Sequence, residues 1–355
     1  MNKRTPFPEI PSLDGIRAIS VLIVLFAHCG FGSVVPGGLG VTIFFFLSGY
    51  LITTLLLFEH RETGTISIKH FYLRRLFRLA PPLMVTLCVA YLLLWLGLQS
   101  GGASIIGVLS QVFYLANYRI LYFDLTYPVP VGTGILWSLA VEEHFYIVYP
   151  VTLFLLIRHG TRARAAGVLA GLCVATLLWR YHLATSPAFF PNRIYYASDT
   201  RVDSMLFGCL LALVGNPMEA EKPTRPMSLA QWALFLSGVA LLGLTLAIRS
   251  PLFRETLRYT LQGIALWPIF YFAIRYPSNP LFRGLNGRWI MKIGVYSYAI
   301  YLIHYTVVHA FLAGTRLDRY PWALLALVFG ISMLYAFLID RFVDPPFKRL
   351  RKRYH

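Results

Sequence analysis

Three groups that hydrocarbon rejects share one apolar run. The stretch SLDGIRAISVLIVLFAHCG, residues 12–30, carries Asp14, Arg17 and His28 among leucines, isoleucines and valines. Ionisable groups inside a membrane-spanning segment usually face a bundle interior or a wet cavity, and they mark functional sites. An α-helix turns about 100° and rises about 1.5 Å per residue, so eleven positions return His28 to nearly the face of Arg17, roughly 16 Å along the axis. Asp14 lies one turn before Arg17, close enough to pair with it. A histidine on such a stripe could act as a general base or accept a group on a ring nitrogen. A structural alternative stands beside this. Asp14 and Arg17 would anchor the helix at the inner interface, and His28 would hydrogen-bond within the bundle. The neighbouring Cys29 reads as an inert thiol in apolar surroundings.

Five other stretches hold chemistry-bearing residues. In FYLRRLFRLAPP (71–82), Arg75 and Arg78 lie one helical turn apart, with Arg74 beside them. Interfacial anchoring explains them, and so does an anion site, because guanidinium forks bind phosphates bidentately. The two prolines are expected to stop or reset the helix there. In GVTIFFFLSGYLITTLLL (40–57), Ser48 and Gly49 form a small notch, which suits close helix packing or a groove for an extended ligand arm. WSLAVEEHFYIVYP (137–150) puts Glu142, Glu143 and His144 at the start of a span. One acid could pair with Arg201 or Arg17 and the other approach His28. Adjacent positions diverge by about 100°, so only one faces a given cavity, and Glu143 is the one expected there. RVDSMLFGCLLA (201–212) places Arg201 and Asp203 at the end of a span. SYAIYLIHYTVV (297–308) puts Ser297 and His304 on one face, seven positions apart, with a structural role expected for His304 ahead of a catalytic one. No GxSxG, HExxH or Walker-type run occurs, so hydrolase, zinc-protease and P-loop chemistry lack support, and no metal site is expected.

The elements that hold these residues follow from composition. Of 355 residues, 57% are hydrophobic and 13% charged, where soluble domains carry about 25% charged residues. Apolar runs recur along the whole length. The fold class is therefore an all-α, polytopic membrane bundle of about ten transmembrane helices. The expected spans lie near 13–31, 38–58, 82–98, 135–157, 165–184, 202–216, 229–248, 256–274, 293–313 and 321–340. The segment 105–123 is apolar but interrupted, and reads as an interfacial or re-entrant helix. The formal charge of +17 sits in short loops, where topology rather than nucleic acid accounts for it. With the N-terminus inside, roughly 22 Lys and Arg residues face the cytoplasm and about 9 face out. Both termini are then cytoplasmic. Residues 1–343 form one transmembrane domain and 344–355 a short basic tail at the lipid surface. Cys29, Cys88, Cys173 and Cys209 are dispersed in apolar segments, which argues against a disulfide framework. Arg17 interrupts the first apolar run and no small-x-small site follows, so the first helix is expected in the mature protein.

Taken in order, LDGIRAISVLIVLFAH, FFFLSGYLIT, RRLFR, WSLAVEEHFY, RVDSMLFGCLLA and YSYAIYLIH resemble the membrane-bound acyltransferase 3 family, which includes O-antigen and exopolysaccharide O-acetyltransferases. The resemblance spans nearly all the chain. It implies that Arg17 and His28 are essential, that Arg75 and Arg78 handle a cytoplasmic acyl-CoA donor, and that the acidic pair carries a role, with Glu143 favoured. The implied donor is acetyl-CoA or another short acyl-CoA, its arm passing Ser48 and Gly49. The implied acceptor is a hydroxyl of a cell-surface or periplasmic carbohydrate, free or lipid-linked, at a bacterial inner (cytoplasmic) membrane. Some O-antigen members carry a further SGNH-type domain, which is not expected after His355. A transporter of an anionic sugar-linked or small-acid substrate is the alternative, although the inverted repeats common in transporters are not evident. A non-catalytic membrane scaffold ranks third.

Overall fold

In hydrocarbon every backbone polar group must be satisfied within the segment, and a helix does this alone. A computed structural model describes residues 9–221, 223–312, 315 and 317–354; the basic residues Lys3 and Arg4 lie outside these. Among the described residues there is no strand. The helices are α1 Leu13–Phe26, α2 Gly37–Thr63, α3 Ile68–Trp95, α4 Ile105–Val112, α5 Ala116–Tyr122, α6 Leu136–Arg158, α7 Arg162–Ala184 and α8 Pro191–Tyr196. They continue as α9 Ser198–Val214, α10 Leu229–Ala247, α11 Pro251–Glu255, α12 Leu257–Arg275, α13 Pro280–Arg283, α14 Arg288–Leu312, α15 Pro321–Leu338 and α16 Asp344–Lys352.

Among the described residues, eight helical stretches are long and apolar enough to cross a membrane, namely those built on α1, α2, α3, α6, α7, α10, α14 and α15. The other two expected spans fall on α9 and α12. The first has only 17 residues and opens on Asp199, Arg201 and Asp203; the second, of 19 residues, is diluted by Arg258, Gln262 and Arg275. The interrupted segment 105–123 folds as α4 and α5, of 8 and 7 residues, with Tyr114 at a φ of 57° between them.

Two expectations about helix ends need correction. Pro81 and Pro82 do not stop a helix, because α3 runs through both. Neighbouring hydroxyls support the backbone there. Tyr298 donates to the Leu79 carbonyl at 2.9 Å, and Thr86 and Tyr335 approach the Pro82 carbonyl at 2.8 and 3.3 Å. The carbonyls that the two prolines leave without an intrahelical N–H are those of Phe77 and Arg78, four residues earlier, so these hydroxyl bonds brace the adjoining turns. The first helix is also not uniform. The α-helical register ends at Phe26, and Ala27–Phe31 forms a π-type turn containing Gly30 at φ 100°. A side chain with a Cβ rarely adopts that angle, so the break is written into the chain at Gly30. The non-helical residues are Cys29 and Gly30, so the break follows directly after His28 and shortens the expected span 13–31.

The described chain divides into two compact units. The first contains residues up to 17, then 41–66 and 141–294. Its α2 is apolar on all sides, and Phe45, Phe46, Leu47 and Tyr50 are buried. Reciprocal glycines bring α2 against α9. A Cβ at Gly49 would lie 1.9 Å from the Met205 carbonyl oxygen, and one at Gly208 would lie 1.9 Å from that of Phe46. Without hydrophobic driving force between helices in lipid, such small-residue approach supplies the packing. A capping box starts α10, where Ser228 and Gln231 exchange side-chain and backbone hydrogen bonds.

The second unit contains 18–40, 67–140 and 295–355. Phe26 and Phe31 pack on Trp322, and Gly37 and Gly40 let the start of α2 meet Ala27 and the Ser20 carbonyl. The turn at Val131–Thr133 is pressed onto α14, since a Cβ at Gly132 would come 2.5 Å from the Thr306 Cα, and Thr306 donates to the Gly132 carbonyl at 3.3 Å. The basic tail is helical, as α16, and its end is seated on α3. Arg74 donates to the Tyr354 carbonyl at 2.8 Å, and the His70 and Phe77 rings lie 5.7 and 5.9 Å from that of Tyr354. Lys348 pairs with Asp340 and, at 3.7 Å, with Asp344.

Candidate active site

The break at Cys29 and Gly30 leaves His28 at the end of the helical run. In the second unit the His28 ring is half-buried and lies edge to edge with that of His304, 5.2 Å between centroids and nearly coplanar at 14°. Its Nδ1 lies 2.9 Å from the His304 Nε2. The Tyr305 ring covers another side of His28 at 4.6 Å, and His309 meets Tyr305 edge-on at 4.5 Å. His304 is fully buried, and its Nδ1 lies 2.6 Å from the Tyr301 carbonyl oxygen one turn earlier on α14. The Tyr301 hydroxyl in turn meets Ser138 at 2.6 Å. The two histidines, 276 positions apart in sequence, thus form a contiguous pair. Among the described residues nothing hydrogen-bonds the Nε2 of His28. Cys29, beside it, is buried, which fits an inert thiol.

Arg75 and Arg78 belong to the same unit and lie on α3 with Arg74. The carbonyl of Tyr354 already takes Arg74. Arg74 thus links α3 to Tyr354, just beyond the basic last turn of α16, which carries Arg349, Arg351 and Lys352.

The first unit holds the remaining candidates. Asp14 and Arg17 form the expected one-turn ion pair at 2.6 Å. The start of α1 is clamped beside them. The Ser12 backbone N–H donates to the Asn286 Oδ1 at 2.7 Å and its hydroxyl donates to the Ala273 carbonyl at 2.7 Å.

Of the acidic pair, Glu142 accepts from Ser48 at 2.6 Å and from Tyr146 at 2.7 Å. Its partners are hydroxyls rather than the guanidinium of Arg17 or Arg201. A charged acceptor and two O–H donors make strong, short bonds. Ser48 is therefore tied to the WSLAVEEHFY block, a link the spacing could not show. Gly49 next to it is spent on the approach of α9, and its carbonyl takes the Cys209 thiol at 3.4 Å. At Gly49 the notch is filled by backbone, so it offers no open groove for a ligand arm. His144 contacts the Ser198 hydroxyl at 2.7 Å.

Arg201 and Asp203 do not pair with each other. Asp203 receives both forks of Arg180, at 2.8 and 2.6 Å, and both residues are completely buried. Arg180 also donates to the Thr200 carbonyl and the Thr260 hydroxyl. Arg201, likewise buried, lies over the Tyr259 ring at 4.2 Å and reaches the Thr42 hydroxyl at 3.2 Å. Arg180 escaped the sequence reading because it stands about one turn from the end of α7, where an arginine reads as an interfacial anchor. Outside the spans, burial raises the Glu255 carboxyl above its ordinary range against the opposing pull of Arg258, Arg254 and Arg201. No group of three or more His, Cys, Asp or Glu residues with metal-holding geometry occurs among the described residues.

Residues 10–341 match a family described as an acyltransferase domain, Acyl_transf_3. The chain is 28% identical to the peptidoglycan O-acetyltransferase OatA of Listeria monocytogenes over 358 residues, 96% of this chain and 56% of that protein. It is 34% identical to YrhL of Bacillus subtilis, provisionally named a peptidoglycan O-acetyltransferase, over 84% of this chain and 48% of that one. A Staphylococcus aureus protein provisionally named an O-acetyltransferase is 29% identical over 98% of this chain and 60% of its own length. The chain thus spans between about half and three fifths of the curated relatives it matches. No solved structure matches.

Proposed function

This chain belongs to the acyltransferase 3 family, and from that premise we propose that it moves an acetyl or other short acyl group from cytoplasmic acyl-CoA to a hydroxyl of an envelope carbohydrate. The observation that carries the reading is the placement of His28. It is a half-buried imidazole at the end of a helical run, held through one nitrogen by His304 with its other nitrogen unbonded. A neutral histidine held this way suits general-base removal of a hydroxyl proton, or capture of the acyl group on nitrogen. Arg75 and Arg78 would take the donor's phosphates through their guanidinium forks. Arg17, held by Asp14, and Glu143 keep supporting charge roles that rest on the family motifs. The names of the Listeria and Bacillus relatives favour a peptidoglycan-type glycan as acceptor over lipopolysaccharide. The membrane would be the cytoplasmic membrane of a bacterium, consistent with eight helices long and apolar enough to cross one.

The test is radiolabelled acetyl transfer from acetyl-CoA to envelope carbohydrate in membranes that carry the wild type or His28→Ala. Loss of the reacting imidazole is expected to lower transfer by about 10²-fold or more. Normal transfer by a correctly inserted variant removes His28 from the chemistry. Mass spectrometry of envelope glycans from cells with and without the protein then identifies the acceptor. Substrate flux without acyl transfer would instead favour a transporter.

A further inference from the structure

We infer that His304 is a positioning residue that fixes the tautomer of His28, leaving the lone pair on Nε2 of His28 as the reacting one. The inference rests on the reading of His28 as the reacting histidine and adds which of its nitrogens reacts and why.

The assignment follows from donor and acceptor bookkeeping. The Tyr301 carbonyl can only accept a hydrogen bond. The His304 Nδ1, 2.6 Å away, must therefore carry the proton. A neutral imidazole has one N–H, so the His304 Nε2 presents a lone pair. That nitrogen lies 2.9 Å from the His28 Nδ1. Two lone pairs at this distance would repel, so the His28 Nδ1 must donate. The proton of neutral His28 is then on Nδ1, and its Nε2 is bare. The competing state would charge His304, placing an imidazolium at 0% exposure between a carbonyl and another imidazole. Burying a charge without an opposite partner is the costlier arrangement.

The chain from the Tyr301 carbonyl through His304 to His28 has the logic of a catalytic histidine oriented through its Nδ1–H by a buried acceptor. Here the acceptor is a neutral imidazole. Two features hold it in place. His304 is packed against the Tyr301 ring at 5.5 Å, and the His28 ring is fixed by its in-plane hydrogen bond to His304 and by Tyr305. In the transfer, the His28 Nε2 takes the proton of the acceptor hydroxyl as its oxygen bonds to the thioester carbonyl carbon. The carbon–sulfur bond breaks, and the thiolate leaves with the proton that Nε2 returns. The products are an ester and a free thiol. The imidazolium formed in between is stabilised through Nδ1–H by the His304 lone pair, which need not itself accept the proton. Had the proton been on Nε2, neither this step nor direct capture of the acyl group there could begin.

Two measurements on full-length protein in detergent or lipid test the assignment. The first is nitrogen NMR of histidine-labelled protein, with the His28 signals identified by their loss in His28→Asn. The His28 Nε2 is expected in the unprotonated range in the wild type and divided between both tautomers in His304→Phe. A protonated His28 Nε2 in the wild type, or an unchanged one in His304→Phe, overturns the inference. The second is acetyl transfer from acetyl-CoA in membranes. Replacing His304 by Phe is expected to lower kcat by about 10²-fold with the KM for acetyl-CoA within about twofold. His304→Gln, whose amide oxygen can accept from His28, is expected to restore at least about tenfold of that loss. Full kcat in a folded His304→Phe variant, alongside an inactive His28→Ala, would sink the positioning role alone. Full activity of His28→Ala would sink the underlying functional reading instead.

Discussion

Replacing Asp203 is expected to remove activity through the fold rather than through the chemistry. Its carboxylate receives both forks of Arg180, and neither side chain has any exposure. Removal as Asp203→Ala leaves the guanidinium with the Thr200 carbonyl and the Thr260 hydroxyl but no opposite charge. Breaking a buried pair from one side costs about 3–5 kcal/mol. At about 1.4 kcal/mol per factor of ten, that is roughly two to three and a half decades in the folding equilibrium. Domain stabilities of about 5–15 kcal/mol make this a large fraction of the total. The assay is equilibrium unfolding of purified protein in mixed micelles, with acetyl transfer measured in parallel at a temperature where each variant is folded. The informative comparison is the double variant Arg180→Met with Asp203→Leu, because replacing both ions with apolar groups of similar volume is often neutral or stabilising. It is expected to recover most of the lost stability and the transfer activity. A destabilisation below about 1 kcal/mol for Asp203→Ala would refute the buried-pair energetics. A double variant that is stable yet inactive would return Asp203 to the chemistry.

Two further perturbations separate charge from packing. Glu142→Gln keeps an oxygen that can accept from Ser48 and Tyr146, so stability is expected to fall by no more than about 1–2 kcal/mol. A loss of transfer beyond tenfold at full folding would show that the negative charge itself is needed, and unchanged transfer would make Glu142 a structural acceptor. Gly49→Ala forces a methyl group onto the Met205 carbonyl, 1.9 Å from where its Cβ must sit. Backbone on both sides leaves little room to give, and a loss of at least about 1–3 kcal/mol is expected. A melting temperature equal to that of the wild type would show that α2 and α9 do not approach this closely.

Much of the architecture is legible in the chain, because a bilayer narrows the choices. Apolar runs of spanning length separated by basic loops leave helices as the solution, and all ten expected runs fold as helices, eight of them, among the described residues, long and apolar enough to cross a membrane. The Asp14–Arg17 pair was legible too, since both partners lie on one helical turn. Reading failed where local rules met tertiary support. The Pro81–Pro82 step was expected to stop or reset a helix, and α3 runs through it, with hydroxyls of Tyr298, Tyr335 and Thr86 bonded to carbonyls of the adjoining turns. The apolar run reads as unbroken to residue 31, and the helix instead breaks at Cys29 and Gly30, directly after His28.

The sequence alone determined which residue types stand in the membrane and in what order, because hydropathy and motif spacing are one-dimensional quantities. It determined His28 and His304 as polar groups in separate spans. Tertiary structure alone decided that they meet, that Ser48 serves Glu142, and that Asp203 belongs to Arg180 rather than to Arg201. Those pairings join residues 23 to 276 positions apart. Partner choice in an apolar interior is set by which polar atoms come within hydrogen-bonding distance once the helices pack, and an unpaired polar group there is too costly to leave unmatched.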